Sequence, residues 1–153
     1  MIPPYVKLAG APFRVLPPGI HWASLAEIDS RFGQSPHRAR LFEGVTKVAA
    51  ALQRANCARM YLDGSFVTEK IHPNDFDGCW DAINVDVTRL DPVLLNFGNG
   101  RVAQKQKYRG EMFIANGQNS GVGTFLEFFQ RERHTGLPKG IVGVDLQQIG
   151  RAP

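Results

Sequence analysis

The segment from Ser35 to Asn56 sets the tightest limit on what this chain can fold into. Ser35 suits a helix N-cap, and Pro36 suits the first helical position, where a missing N–H costs nothing. Leu41, Val45, Val48, Leu52 and Ala55 then recur at three- and four-residue steps, with Phe42 and Ala49 beside them. Arg38, Arg40, Lys47 and Arg54 fall mostly off that stripe. A long helix with one apolar face needs a second layer to bury it against.

The rest of the chain supplies that layer. "ARMYLDGS" predicts a short strand running into a Gly-Ser turn, and "DFDGCW" a second strand after a loop containing Pro73-Asn74. "LDPVLLNF" suggests a helical turn, Gly98-Asn99-Gly100 a break and "RVAQKQKY" a helix. "EMFIA" suggests a strand, and residues 117–123 a flexible loop. Thr124, with Glu127 three residues on, starts a helix expected to run to Arg133, and "IVGVDL" is the final strand. Ser24 and Glu27 match a capping box for a short helix ending near Gly33. Helices alternating with strands predict an α+β or α/β fold. Residues 1–23, broken by prolines, are expected as an extended arm on the surface, and residues 24–153 as a single domain.

Composition narrows the function classes. The 153 residues suit one compact domain. No apolar run approaches the ~20 residues of a membrane span, and the N-terminal segment lacks a continuous signal-peptide core. A cytoplasmic protein with no membrane partner is therefore expected. Cys57 and Cys79 are too few and too scattered for a disulfide framework or a zinc knuckle. The four histidines (His21, His37, His72, His134) form no ligand-spaced pair. The formal charge of +4 permits a nucleotide or nucleic-acid partner without demanding one.

The chemistry concentrates in "YLDGSFVTEKIHPNDFDGCWD", Tyr61 to Asp81. Residues two apart on a strand face the same way, so Asp75 and Asp77 share a face, with Phe76 and Trp80 anchoring the other. Two carboxylates this close repel unless a cation sits between them, and hard cations such as Mg²⁺ take oxygen ligands. Upstream, Gly64 lets the backbone approach a phosphate, and Ser65 offers donors to its oxygens. Asp63 is placed to brace the turn or hold a basic group. The glycine and glutamate positions of an EF-hand are missing, as are the P-loop and dinucleotide-binding glycine patterns.

An apolar strand, Gly64-Ser65, nine residues and then Asp75-Phe76-Asp77 resembles the nucleotidyltransferase superfamily. The likeness is closest to the minimal nucleotidyltransferase-like proteins linked to toxin–antitoxin and phage-defence loci. It covers about residues 36–146 and includes the long helix before the first strand. The resemblance implies a mixed sheet flanked by helices, with Asp75 and Asp77 binding Mg²⁺ (or Mn²⁺) and the Gly64-Ser65 turn holding a nucleoside triphosphate. The family usually carries a third carboxylate on a neighbouring strand. Asp145 in "IVGVDL" is the preferred candidate, with open space expected at Gly143 beside it, and Asp86 in "NVDV" is the competitor.

The implied activity is transfer of a nucleoside monophosphate to an acceptor hydroxyl. An RNA 3′ end, tRNA above all, is the first expectation, for a toxin-type component with a cognate antitoxin or toxin protein as partner. A protein hydroxyl, as in adenylylating antitoxins, and a non-catalytic nucleotide- or partner-binding module are the alternatives. In "RVAQKQKYR", Arg101, Lys105, Tyr108 and Arg109 share a helical face. That segment is either a clamp for the triphosphate, with Lys105 and Lys107 the first residues to test, or a solvated helix face. Phe125, Phe128 and Phe129 are expected in the core, with base stacking on one exposed ring as the other role.

Overall fold

The computed structural model describes residues 1–119 and 123–149. The expected flexible loop at 117–123 falls partly outside them. The elements in order are strand β1 (Gly19–Trp22), helices α1 (Leu25–Phe32) and α2 (Pro36–Arg54), β2 (Arg59–Asp63) and a 3-10 turn (Ser65–Val67). Then come β3 (Phe76–Trp80), a second 3-10 turn (Pro92–Leu95), α3 (Gly98–Tyr108) and β4 (Gly110–Ile114). The short hairpin β5 (Gln118–Asn119) and β6 (Gly123–Thr124), helix α4 (Phe125–Phe129) and β7 (Gly140–Asp145) complete the order. The fold is α+β, built on a mixed five-stranded sheet in the order β1-β7-β2-β3-β4. β7 pairs parallel with β1 and antiparallel with β2; β3 pairs antiparallel with β2 and parallel with β4.

Capping chemistry explains where the helices start. Ser35 Oγ accepts from Arg38 N, with Pro36 at the first position, and Thr124 with Glu127 forms a complete capping box. Ser24 Oγ accepts from Glu27 N, but the Glu27 carboxylate turns away to accept from Ile2 N. α4 ends at Phe129, four residues short of the expected Arg133, because residues 131–138 close into a bridged loop. The arm is not separate from the domain: residues 19–22 form the edge strand β1, and Val6 bridges Val15.

The sheet has two different faces. Met60, Leu62, Phe76, Trp80, Met112, Val142 and Val144 pack beneath α1, α2 and the α3 region in the main core. Tyr61, Cys79 and Ile141 face the other way, into a smaller cluster with Phe129 and Phe113. α2 presses close against the end of α3, and a Cβ at Gly44 would lie 1.8 Å from the Tyr108 carbonyl oxygen, so that position requires glycine. Gln104 on α3 is buried; its amide donates to Met112 O at 3.2 Å and its oxygen accepts from Met112 N at 2.8 Å. This covers the outer edge of β4, which has no further strand beside it among the described residues. Both cysteines are buried free thiols. Among the described residues no helix is long and apolar enough to cross a membrane.

Candidate active site

Strand alternation places the acidic residues on the face away from the main core. Asp77 is directly opposite Asp63 across the β2–β3 pair and directly beside Glu111 on β4. Neighbouring strands lie about 4.8 Å apart, so three carboxyl-bearing residues meet at one end of the sheet. Asp75 lies just before β3, outside the strand and outside the residues that line the cleft described below, although its charge acts on Asp77. This is the end where β2 stops and where β3, β4 and β7 begin.

The Gly64-Ser65 turn lies against this cluster. Gly64 has φ +79°, a conformation that disfavours a side chain, and Asp77 Oδ2 occupies the space that a Cβ would need. Asp63 was expected to brace the turn or hold a basic group, and it holds Lys139, the residue before β7. Both side chains of that ion pair are only 9% exposed. Glu111 Oε1 accepts from Lys105 Nζ at 2.8 Å and Arg101 Nη2 at 3.3 Å.

The electrostatics follow from this crowding. Burial raises the pKa of Asp77 most, the charges of Asp75, Asp63 and Glu111 raise it further, and Lys139 opposes them; the result is about 8. Burial and then Glu111 raise Asp75, against Lys105 and Lys70. Burial also raises Asp63, against the pull of Lys139. The donor set is all carboxylate oxygen, and neither Asp75 nor Asp77 has an ion-pair partner among the described residues. Carboxylate oxygens are the donors that a hard divalent cation such as Mg²⁺ takes, but among the described residues no three His, Cys, Asp or Glu side chains are arranged to hold one together.

A cleft of about 790 Å³ opens above the cluster. Asp63, Gly64, Ser65, Asp77, Glu111 and Lys139 form its floor. Phe113, Phe125, Phe128 and Phe129 line one wall, and Phe113 and Phe125 stack at 4.6 Å with an interplanar angle of 13°. Phe129 is buried as expected, whereas Phe128 stays 40% exposed. Phe13 and Lys70 stand among the other lining residues, and Arg131, Arg133 and His134 add positive or titratable groups. The loop carrying those three is held by Glu132, whose carboxylate accepts from the backbone N–H groups of His134 and Thr135.

Not every expected residue reaches this place. Asp145 is on the right face but at the opposite end of the sheet. It pairs in register with Arg59 at the start of β2, whereas Asp63 closes that strand. Four residues at about 3.4 Å each separate it from the pair by roughly 14 Å. Its carboxylate is exposed and accepts from Gln147 N, and the space beside Gly143 is filled by the Trp22 ring. Asp86 lies in a loop, accepting from Thr88. Lys107 turns away to Asp91 at 2.5 Å, and Tyr108 donates to the same carboxylate. Only Lys105 and Arg101 of the basic segment face the cluster. Glu111 and Lys139 escaped the sequence reading. The one signal for Glu111 was its alternation with Met112 in "EMFIA"; Lys139 had none.

Residues 11–145 match a family described as a family of unknown function, DUF6932. The chain belongs to that family. No curated protein and no solved structure matches it. Membership extends from the arm to the end of β7, so the arm residues lining the cleft and both sides of the carboxylate cluster fall inside the shared region.

Proposed function

We propose that this protein is a metal-dependent nucleotidyltransferase that moves a nucleoside monophosphate from a nucleoside triphosphate to an acceptor hydroxyl. One observation carries the proposal: Asp77, which has no ion-pair partner among the described residues, lies beside Glu111 and directly against Gly64 on the floor of an aromatic-walled cleft, with Asp75 just before its strand. Asp75 and Asp77 would hold the Mg²⁺, which supplies positive charge against the triphosphate oxygens. Gly64 and Ser65 receive the phosphates, and Lys70 adds positive charge from the cleft lining, while Lys139 on the floor balances Asp63. The acceptor oxygen forms its bond to the α-phosphorus as the bond to pyrophosphate breaks. Glu111, in place of Asp145, is the carboxylate on the neighbouring strand that receives the acceptor's proton. The chain's contribution is positioning and fixed charge.

The proposed acceptor is an RNA 3′ end, tRNA first, in a cytoplasmic toxin-type system with a cognate protein partner. Arg131, Arg133 and Lys70 along the cleft support a polyanionic acceptor. A non-catalytic nucleotide-binding module is the second reading, favoured by the Glu111 carboxylate already being held by Lys105 and Arg101. The test is incubation with each labelled nucleoside triphosphate, Mg²⁺, total RNA and cell protein, with Asp77→Ala alongside. Label on RNA that the variant fails to add supports the proposal, and label on one protein moves the acceptor. No label from well-folded wild type sinks the enzymatic reading in favour of the second.

A further inference from the structure

Building on the nucleotidyltransferase reading, we propose that Arg101 holds Glu111 in an autoinhibited state, and that the backbone turn at residues 99–101 is the element that releases it. Asn99, Gly100 and Arg101 have φ of 50, 64 and 61° with ψ of 47, 32 and 33°, so three successive left-handed residues stand at the head of a right-handed helix. Residues with a Cβ enter that region as single positions, because the Cβ crowds the following carbonyl oxygen. Two of the three carry side chains, so the turn is strained. A second cost falls on Arg101 itself: its Nε is buried and has no hydrogen-bond partner among the described residues. Against these costs, Nη2 donates to Glu111 Oε1 at 3.3 Å, and the guanidinium sits 5.5 Å from the Phe113 ring centre. Strain and contact are thus opposed within one residue.

The other state of this turn is right-handed and lengthens α3 towards its N-terminus. Left- and right-handed turns are mirror images along the backbone and span the same length. Asn96 is anchored, its carbonyl accepting from the Gln104 amide at 3.3 Å, so the change is confined to residues 97–101. In the right-handed turn Arg101 stands one full turn before Lys105, and its side chain leans further towards the N-terminus. The guanidinium then leaves Glu111 and Phe113, and its Nε reaches water. Glu111 keeps only Lys105, an exposed side chain on a flexible stem, and can turn to the acceptor hydroxyl in the cleft that it lines beside Asp77. Asn99 and Gly100 are exposed, and a Cβ on Gly100 would meet nothing within 4 Å. Substitutions there act on the backbone conformation alone.

The experiment compares Gly100→Ala, which penalises the left-handed turn without a clash, with Asn99→Gly, which relieves it. The first readout is solvent exchange of the Arg101 Nε–H, followed by nuclear magnetic resonance, because that buried donor exchanges only when it emerges. The second is the rate of transfer from labelled nucleoside triphosphate to total RNA with Mg²⁺. Gly100→Ala is expected to speed both by about tenfold. Asn99→Gly is expected to slow both by about threefold. Exchange that neither variant moves overturns the inference, and so does faster exchange in Gly100→Ala without faster transfer. In both cases transfer by wild type keeps the nucleotidyltransferase reading intact. Absence of transfer from wild type and from Gly100→Ala overturns that reading, and the inference with it.

Discussion

Gly64 and Asp77 are packed so closely that a Cβ on the first would lie 2.6 Å from Oδ2 of the second. The turn proposed to receive phosphate and the carboxylate proposed to hold the metal therefore form one unit. Gly64→Ala must relieve both this clash and the strain of a side chain at φ +79°. We expect it to cost about 2 kcal/mol in urea unfolding and to abolish nucleotide-dependent thermal stabilisation. A variant with wild-type stability and nucleotide response would separate the turn from the site.

The Asp77 carboxyl, raised to about 8 from an ordinary value of 3.8, gives the folded state a proton that the unfolded chain has released over that interval. Its contribution to stability is therefore fully present below about pH 4 and is lost as pH rises towards about 8. Asp77→Asn, which keeps the group neutral, should flatten that decline and leave the metal-free protein more stable than wild type near pH 8. Divalent cation competes with the proton, so stabilisation by Mg²⁺ should grow with pH in wild type and vanish in the variant. Thermal melts between about pH 5 and about pH 8, with and without Mg²⁺, read both effects.

Two acids and two lysines give matched comparisons. Asp145 is roughly four strand residues from the pair, so Asp145→Asn should leave the transfer rate within about twofold of wild type. Glu111→Gln, directly beside Asp77, should slow it by about a hundredfold, the size of a lost charge in a preorganised site. Lys105→Met should weaken triphosphate binding, and Lys107→Met should not, since its partner is Asp91. Steady-state kinetics on the four variants check the assignment. A silent Glu111→Gln would remove that residue from the site.

Arg38 tests the loop between the Gly-Ser turn and the aspartates. Its guanidinium donates to the carbonyl oxygens of Phe32, Phe66, Thr68 and Lys70, at 3.1, 2.6, 2.9 and 2.5 Å. Arg38→Met removes all four of these donations, leaving Thr68 O with only the Tyr5 hydroxyl as donor, and we expect a loss of about 3 kcal/mol. Arg38→Lys should recover little, because an ammonium cannot reproduce the planar fork. Chemical denaturation of both variants measures this.

Local chemistry was legible in the sequence wherever the cause is local. Ser35-Pro36 starts α2 because capping is settled within four residues, and strand alternation places Asp77 away from the main core but does not reach Asp75, because β3 begins at Phe76. The same alternation put Asp145 on the correct face. What it does not carry is which end of a strand meets which end of its neighbour. That depends on β7 running antiparallel to β2, a pairing between segments far apart in the chain. Glu111 was missed for the same reason: only the parallel register of β4 against β3 brings it beside Asp77. The acidic end of the sheet is thus a product of strand direction, and Lys139 belongs to it only because β7 begins there.

β7, the last of the described strands in the chain, lies second in the sheet, between β1 and β2. During synthesis β1 emerges early and waits, with no neighbour to pair with, until nearly all the described chain has followed it. Until then Asp63 also lacks its ammonium. A nascent chain therefore carries an unfinished sheet and an unbalanced nest of negative charge together, and a single late docking event closes both. The order in which the strands are made therefore completes the sheet and balances the Asp63 carboxylate in the same step.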